Sequence, residues 1–296
     1  MPVLIRENSE VNVFDIKFKF NSKTLSLAIN RQTVFPAKLL EKGSGRDLYQ
    51  TREGYRFWLD TTGYVDRCIA ENGIFEPDGT RIINQLAKPG DTVLDVGANI
   101  GYYSVILSQL VGTEGRVICF EPTAWYQSVL ERNLLENKVK NCEVIGYGLS
   151  NKSGDTTISI GRDSATIHWI GDSELKAQES IKLQRLDDII DSLDVTSLDL
   201  VKVDVDGHEP AFLDGAWETI DRFDPVIYIE VSHPHYLDYG ITAWDFYDKV
   251  KSKGMRVYSE KRLKEFESKL HFLKECGNFS VSANIILSKR PVDFSN

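Results

Sequence analysis

The feature that most constrains this chain is a segment in which an apolar strand leads into a glycine turn and then into a helix. The strand and turn are TVLDVGANIG, and the helical segment is YYSVILSQLV. More apolar strands follow at RVICF, CEVIGYGLS, DLVKVDVDG and PVIYIEVS, with helical segments between most of them. Nearly continuous apolar strands separated by helices are typical of a parallel sheet covered on both faces. The sequence therefore predicts a doubly wound α/β fold whose strands end at one shared edge.

The N-terminal part of the chain has a different pattern. Residues 16–29 alternate apolar and polar side chains on both sides of an Asn-Ser-Lys turn, which indicates a β-hairpin. Glycines then separate short aromatic segments as far as residue 79. We expect a strand-rich N-terminal region over residues 1–80 and an α/β domain over residues 81–296. The first region is expected to act as a lid, an acceptor platform or a dimerisation element, and the sequence leaves these roles and the oligomeric state open.

Composition excludes several classes of protein. The chain has 35 basic and 44 acidic residues, and its densest basic stretch, residues 261–274, is interleaved with glutamates, so nucleic acid is not an expected partner. The four cysteines are widely scattered and form no CxxC pair, which argues against a zinc cluster or a disulfide framework. No run of eighteen apolar residues occurs, so we expect no membrane insertion and a reduced, cytoplasmic protein.

The turn between Asp95 and Gly101 is a candidate ligand-binding loop, because glycine lets a ligand approach the backbone closely. A dinucleotide fingerprint is excluded, since Asn99 and Tyr102 stand where its second and third glycines would be. No Gly-Lys-Ser/Thr follows, which also excludes a P-loop. Glu121 ends the next strand, where a carboxylate can accept hydrogen bonds from both hydroxyls of a ribose. Acidic groups beside the turn suit a ligand with positive charge, such as the amino group and sulfonium of S-adenosylmethionine.

Acidic and histidine residues follow the fourth and fifth of these strands, DLVKVDVDG and PVIYIEVS, and are expected at the same edge of the sheet. A hydroxyl is a poor nucleophile at neutral pH and needs a base within hydrogen-bond reach. We predict that Asp204, His208 or Glu230 accepts a proton from such a hydroxyl. The residues predicted to bind the acceptor are Asp206, Glu209, His233 and Glu76.

Two of these residue groups have an alternative interpretation. Glu209 stands at the start of a predicted helix, where a carboxylate complements the helix dipole without any contact to substrate. His233 and His235 flank a proline and could ligate a divalent metal together with Asp204 or Asp206, although such histidines are more often loop residues. A divalent metal is therefore possible, but we predict no metal site.

These segments together resemble the FkbM family of S-adenosylmethionine-dependent methyltransferases. The resemblance rests on VLDVGANIGYYS, FEP, GYGLS, VKVDVDGHEPAFLDGA and YIEVSHP, and it extends from about Gly54 to Leu287. It implies the class I methyltransferase (Rossmann-like) fold, a seven-stranded sheet with an antiparallel last strand. It also implies methyl transfer to oxygen, commonly on a sugar or a polyketide-type acceptor.

The resemblance assigns cofactor-binding roles by position. Glu121 would hold the ribose, and Leu149 with Ser150 would border the adenine. Asp206 stands where the family more often has glutamate. The other residues implied to bind the cofactor are Asp95, Gly97, Asn99, Gly101, Ser104 and Asp204.

The leading hypothesis is an O-methyltransferase that acts on a hydroxyl group of a sugar in a glycan or glycoconjugate. One alternative is a methyltransferase for a nitrogen atom or a non-carbohydrate small molecule, although no Asn/Asp-Pro-Pro-aromatic motif follows the fourth strand. Another is a non-catalytic, cofactor-binding unit of a glycan-building assembly. A nicotinamide-dependent oxidoreductase is excluded at Asn99 and Tyr102.

Overall fold

The computed structural model describes residues 3–5, 45–161, 165–166, 177–278 and 282–294. The hairpin expected over residues 16–29 lies outside these ranges. Before the glycine turn, the elements are β1 (Val3–Ile5), β2 (Asp47–Gln50), β3 (Arg56–Leu59), α1 (Tyr64–Asn72) and α2 (Pro77–Leu86). Residues 64–86 are thus mostly helical, in the segment where the sequence analysis expected strands as far as residue 80.

The rest of the described chain alternates strands and helices. The first half contains β4 (Thr92–Val96), α3 (Tyr102–Val111), β5 (Arg116–Phe120), α4 (Ala124–Glu136), β6 (Cys142–Ile145), β7 (Gly148–Leu149), β8 (Gly154–Ile160), β9 (Ala165–Thr166), β10 (Ala177–Gln184) and α5 (Leu186–Ile189). The second half contains β11 (Leu200–Val203), α6 (Glu209–Asp214), α7 (Trp217–Phe223), β12 (Val226–Val231), α8 (His233–Tyr236), α9 (Ala243–Ser252), β13 (Arg256–Ser259), β14 (Lys264–Glu265), α10 (Lys269–Cys276) and β15 (Ala283–Ser288). Short 3₁₀ turns cover Ile190–Leu193 and Leu237–Tyr239.

The main sheet has the strand order β14-β13-β15-β12-β11-β4-β5-β6. Strands β12, β11, β4, β5 and β6 are parallel, and β15 runs antiparallel to both β12 and β13. The predicted class I fold with an antiparallel last strand is confirmed. One difference is the two-residue strand β14, which pairs with β13 at the outer edge and makes the sheet eight-stranded.

A second, small sheet of order β7-β10-β8-β9 lies between β6 and β11 in the chain and was not predicted. Its two longer strands, GDTTISI and AQESIKLQ, bury only every second residue near one end. This weak alternation explains why the sequence analysis missed them, since a mostly exposed strand lacks the apolar run of a buried one.

The main sheet is covered on both faces, and successive side chains along a strand pack on opposite faces. Leu94 and Val96 of β4 pack into the cluster on one face, whereas Val93 packs into the cluster on the other face with helix α3. Asp95 therefore points to the α3 face. The register places Asp95 opposite Lys202 of β11, and Lys202 opposite Tyr228 of β12. Three polar side chains thus form one row across the centre of an apolar sheet.

Helix α4 attaches the N-terminal strands to the domain through two asparagines one turn apart. The Asn133 side chain accepts a hydrogen bond from the Trp58 backbone N–H at 2.8 Å and donates one to the Ile100 carbonyl at 2.8 Å. Asn137 accepts from the Arg56 N–H at 2.8 Å and donates to the Arg56 carbonyl at 2.6 Å. These amides satisfy the free edge of β3 as a neighbouring strand would. Asn133 also joins that edge to the glycine turn.

None of the helices in the described ranges combines the length and the apolar character that crossing a membrane requires.

We predict that Asn133→Ala lowers the free energy of unfolding by about 2 to 4 kcal/mol, because a buried N–H and a buried carbonyl both lose their partner. Urea denaturation measures this change. The matched control is Asn84→Ala, whose exposed amide bonds only the Thr80 carbonyl of its own helix, at 2.7 Å, and should cost less than about 1 kcal/mol. Equal losses in the two variants would contradict the attachment role of Asn133.

Candidate active site

The glycine turn after β4 has the left-handed backbone that the sequence suggests, but the space beside it is filled by the protein. Gly97 and Gly101 have φ angles of +80° and +85°. A Cβ on Gly97 would lie 1.9 Å from the Asp204 carbonyl oxygen, and one on Gly101 would lie 2.3 Å from Cδ1 of Leu130. We expected glycine at these positions in order to leave room for a ligand. In the structure, glycine is required there because the end of β11 and helix α4 pack directly against the turn.

Glu121 lies beside the turn and ties it to the end of β5. Its Oε2 accepts the Asn99 backbone N–H at 3.0 Å, and its Oε1 accepts the Thr123 N–H at 3.0 Å and the Thr123 hydroxyl at 2.7 Å. Burial raises the pKa of Glu121 to about 6, against the hydrogen bonds from Thr123 and Asn99. The carboxylate is therefore fixed in orientation at the edge where the sequence predicts a ribose.

Asp95 is completely buried and does not reach the surface of the site. Its Oδ2 accepts the Ser104 hydroxyl at 2.6 Å, and its Oδ1 lies 3.6 Å from the Lys202 ammonium. Burial raises the pKa of Asp95, and Lys202 and Ser104 oppose that rise. Asp95 and Ser104 were implied to bind the cofactor, but both have no exposed surface. They support the turn from below instead.

Lys202 joins the two halves of the site and was not predicted. Its Nζ lies 3.3 Å from Oδ2 of Asp204 and donates a hydrogen bond to the Gly97 carbonyl at 3.4 Å. Burial alone would lower the pKa of Lys202, but the carboxylates of Asp204 and Asp95 outweigh it and hold the pKa above its usual value. A lysine between valines in a buried strand, LVKV, was the available signal.

Asp204 is the acidic residue at this edge that combines partial exposure with a cationic partner. Its side chain is 32% exposed, and its backbone carbonyl faces Gly97. It follows β11 directly, so the strand end places it beside the glycine turn. This position fits both predictions for Asp204, as a cofactor ligand and as a proton acceptor.

Glu209 is fully buried beneath the loop that follows Asp204. Its Oε1 accepts the backbone N–H groups of Val205 at 3.0 Å and Gly207 at 3.1 Å, across a turn in which Asp206 has a φ of +50°. Burial raises the pKa of Glu209 to about 8. The buried position of Glu209 supports the alternative interpretation, in which this carboxylate makes no contact with substrate. With no exposed surface, Glu209 shapes the loop, and we do not include it among the acceptor ligands that we propose. Asp206 is half-buried on the loop above it.

Glu230 ends β12 and faces the other carboxylates of the edge. Burial, followed by repulsion from Asp204, Glu209 and Asp206, raises its pKa well above the usual value. Both effects favour the neutral, protonated form of the Glu230 carboxyl. It can donate a hydrogen bond but is poorly suited to accept a proton.

His208 bridges two hydroxyl groups. Its Nε2 lies 2.9 Å from the Ser150 hydroxyl, and its Nδ1 lies 2.9 Å from the Tyr239 hydroxyl. Ser150 is buried and also bonds the Gln184 carbonyl through its backbone, and Leu149 is a core residue of β7. The structure thus connects a predicted catalytic residue to a predicted adenine-border residue.

The two histidines after β12 serve local structure. Nδ1 of His233 accepts the Ala243 backbone N–H at 3.0 Å, at the start of α9, and Nδ1 of His235 lies 3.0 Å from the Ser232 hydroxyl. His233 is buried, which makes it a poor candidate for contact with an acceptor. Within the described ranges, no group of three or more His, Cys, Asp or Glu side chains is arranged to hold a metal ion.

Glu76 approaches the same edge from the segment before the domain. Its Oε2 accepts the Tyr103 hydroxyl at 2.8 Å, and Tyr103 is the second residue after the glycine turn. Glu76 has a left-handed backbone with a φ of +44° at the start of α2, and its side chain does not cap that helix. Burial, followed by repulsion from Asp204, raises the pKa of Glu76 to about 7.

The residues at this edge suit a cofactor that combines a ribose with positive charge. Glu121 lies at the end of β5 beside the glycine turn, where the sequence predicts a ribose ligand, and several carboxyl groups lie around the buried ammonium of Lys202. Such a surplus of acidic groups would repel the pyrophosphate of a dinucleotide. When bound, S-adenosylmethionine supplies a methyl group on a sulfonium. Glu121, the turn at 97–101 and the carboxyl groups beyond it would hold the cofactor.

A mixed sheet of this order, with a glycine turn and a strand-terminal glutamate at its carboxyl edge, defines the Rossmann-like class of S-adenosylmethionine-dependent methyltransferases. Residues 95–278, more than half of the chain, match the family model described as the Methyltransferase FkbM domain. The chain therefore belongs to the FkbM methyltransferase family, which confirms the resemblance seen in the sequence.

Known proteins similar to this chain share the domain over part of their length. Hexuronic acid methyltransferase AglP of Haloferax volcanii is 31% identical over 157 residues, which cover 51% of this chain and 61% of that protein. AMB antimetabolite synthetase AmbE of Pseudomonas aeruginosa is 28% identical over 184 residues, 50% of this chain and 8% of that protein. The crystal structure of an FkbM methyltransferase from Methylobacillus flagellatus is 15% identical with a TM-score of 0.44, over 71% of this chain and 50% of that one. The chain thus spans less than two thirds of each.

We predict that Lys202→Met lowers the free energy of unfolding at pH 7 by about 3 to 5 kcal/mol, because two carboxylates lose their buried cation. A carboxyl whose pKa is raised by folding favours the folded protein while it is protonated. The protein loses this contribution to its free energy of unfolding as the pH rises through that pKa. Since the substitution raises the pKa of Asp95 further, the deficit relative to the wild type should be larger at pH 8 than at pH 5.

Urea denaturation at the two pH values checks this prediction. The matched control is Lys249→Met, which breaks a pair with Asp214 whose side chains are 34% and 38% exposed, and it should cost less than about 1 kcal/mol. A deficit for Lys202→Met that is independent of pH would contradict the ion-pair role.

Proposed function

We propose that this protein is an S-adenosylmethionine-dependent O-methyltransferase that acts on a hydroxyl group of a carbohydrate. The observation that carries the proposal is the position of Asp204. A partly exposed carboxylate stands at the end of β11, paired with Lys202 and in backbone contact with the glycine turn. Methyl transfer is an in-line displacement, so a proton acceptor next to the cofactor loop is what a hydroxyl acceptor needs.

Among the three residues predicted from sequence to accept the proton, the geometry favours Asp204. Burial, followed by repulsion from Asp204, favours the protonated form of Glu230, which makes it the less suitable proton acceptor. Both ring nitrogens of His208 lie within hydrogen-bond distance of a hydroxyl, those of Ser150 and Tyr239. We therefore assign proton acceptance to Asp204, orientation of the loop to His208, and a neutral hydrogen-bonding role to Glu230.

The proposal of a carbohydrate acceptor is supported by similarity to a protein named hexuronic acid methyltransferase, at 31% identity over about half of this chain. The charge of the site narrows the class of carbohydrate that we propose as the acceptor. A uronate would bring a further negative charge to an edge that already has Asp204 and Asp206. We therefore propose a neutral sugar, with Asp206 at the exposed end of the loop as its ligand.

We predict that Asp204→Asn lowers turnover by about 10² to 10⁴, the range typical for loss of a general base. Glu230→Gln should change turnover less than about threefold, because an amide resembles a protonated carboxyl in shape and in hydrogen bonding. Calorimetry with S-adenosylmethionine confirms that each variant still binds the cofactor. Equal losses in both variants, or none in Asp204→Asn, would show that Asp204 is not the proton acceptor.

Turnover is measured by mass spectrometry with a panel of neutral glycosides, hexuronides, amines and non-carbohydrate alcohols, with and without a chelator. A gain of one methyl group on a neutral sugar oxygen is the expected result. Methylation confined to hexuronides, amines or other small molecules contradicts the proposed acceptor class. Cofactor binding without methylation of any compound would favour a non-catalytic unit, and loss of activity with the chelator would reveal a metal.

A further inference from the structure

Glu76 differs from the other carboxyl groups of the site in where it comes from and how it is held. It precedes the domain in sequence, yet it reaches Tyr103 at the start of α3. Side chains at the start of a helix commonly cap the helix, but the Glu76 carboxylate makes no capping hydrogen bond to α2. A left-handed backbone on a residue other than glycine or asparagine costs about 1 kcal/mol and persists where the surroundings enforce it.

The surroundings of Glu76 are tightly packed. A Cβ on Gly79, in the first turn of α2, would lie 2.5 Å from the Tyr228 hydroxyl, 2.6 Å from the Tyr103 hydroxyl and 3.4 Å from Oε2 of Glu76. Helix α2 therefore sits directly on the two tyrosines, and this contact fixes where the Glu76 carboxylate lies. The group is built into the edge and does not lie on a loose surface loop.

The charges around Glu76 do not balance. In the described part of the chain, Glu76 has no ion pair within 4 Å, and the ammonium of Lys202 lies 3.3 Å from Asp204 and 3.6 Å from Asp95. The charged and titratable groups that face Glu76 are Tyr64 on α1, Tyr102 and Tyr103 on α3, Lys202 on β11, Asp204 after β11, Tyr228 on β12 and Glu260 after β13. Because Lys202 lies within ion-pair distance of Asp204 and Asp95 and not of Glu76, its ammonium leaves the charge of Glu76 uncompensated at close range.

We propose that Glu76 holds a positive charge of bound S-adenosylmethionine and releases a proton to solvent when the cofactor enters. The inference rests on the proposed function, since it requires that cofactor. The O–H bond of the neutral carboxyl breaks, the proton goes to buffer, and the carboxylate pairs with the ammonium or the sulfonium of the cofactor. Burial and Asp204 raise the pKa of Glu76 to about 7, which makes this release measurable near neutral pH.

The test is calorimetry of S-adenosylmethionine binding in buffers of different ionisation enthalpy, which counts the protons released, and it needs no acceptor. For a pKa of about 7, the wild type should release about 0.9 proton more than Glu76→Gln at pH 6 and about 0.5 proton more at pH 7. Wild-type affinity should rise about fivefold between these pH values through this group, a rise that Glu76→Gln lacks. The amino group of the free cofactor stays largely charged in this range.

Two further variants separate the effect from general damage. Glu260→Gln is the matched control, because Glu260 also accepts a hydrogen bond from a buried tyrosine, Tyr228. It should still release a proton on cofactor binding, with the pH of half release lower than in the wild type, because the Glu260 charge raises the pKa of Glu76. Tyr103→Phe retains Glu76 but removes the hydrogen bond that lowers its pKa, so the pH at which half a proton is released should move upward. Circular dichroism confirms that each variant is folded.

The outcomes are distinguishable. S-Adenosylhomocysteine retains the ammonium but lacks the sulfonium charge, so proton release with both ligands identifies the ammonium, and release with S-adenosylmethionine alone identifies the sulfonium. Cofactor binding with equal proton release in the wild type and Glu76→Gln overturns this inference and leaves the proposed function standing. A wild-type protein that does not bind S-adenosylmethionine contradicts the proposed function and the inference together.

Discussion

The ion pairs of Lys202 are the interaction on which the site depends. A lone ammonium in the centre of a parallel sheet would be strongly destabilising, and so would the buried carboxylate of Asp95. Each is tolerated because the strand register brings them together with Asp204. The same ammonium bonds the carbonyl of Gly97, so a single side chain connects β11, the end of β4 and the glycine turn. A polar contact in the core thereby determines where the glycine turn lies.

The carboxyl groups around this lysine differ in their contacts and burial although they share one edge. Burial and mutual repulsion raise the pKa of Glu76 to about 7 and that of Glu209 to about 8, and raise that of Glu230 well above its usual value. One carboxylate oxygen of Glu209 accepts hydrogen bonds from backbone N–H groups, whereas Asp204 has both an ion pair and access to solvent. Similar residue types at one sheet edge can therefore support a loop, donate a hydrogen bond or accept a proton, and position decides which.

The sequence predicted the fold well because apolar strands and a glycine turn are short-range patterns. The parallel strands of the main sheet and the placement of Glu121 beside the turn agree with the sequence analysis, and the antiparallel β15 agrees with what the family resemblance implies. Burial of individual polar residues was not predictable in the same way. His233 in a loop and Glu209 at a helix start look available for chemistry, and only the packing of neighbouring elements shows that both are enclosed. Lys202 was overlooked because its partner Asp95 lies far away in sequence, so the ion pair leaves no local sequence pattern.

The contact between Gly97 and the Asp204 carbonyl has a consequence for how such an enzyme can change its specificity. Because a side chain at position 97 would meet main-chain atoms of Asp204, the spacing between the glycine turn and the residue after β11 is independent of side-chain rotamers. A larger residue at position 97 would clash with the Asp204 carbonyl. Variation in the acceptor must then be accommodated by parts outside this contact, such as the segment before β4 and the small sheet between β6 and β11. The main-chain contact at Gly97 is therefore constrained as one unit, and we expect differences in substrate to depend on the segments around it.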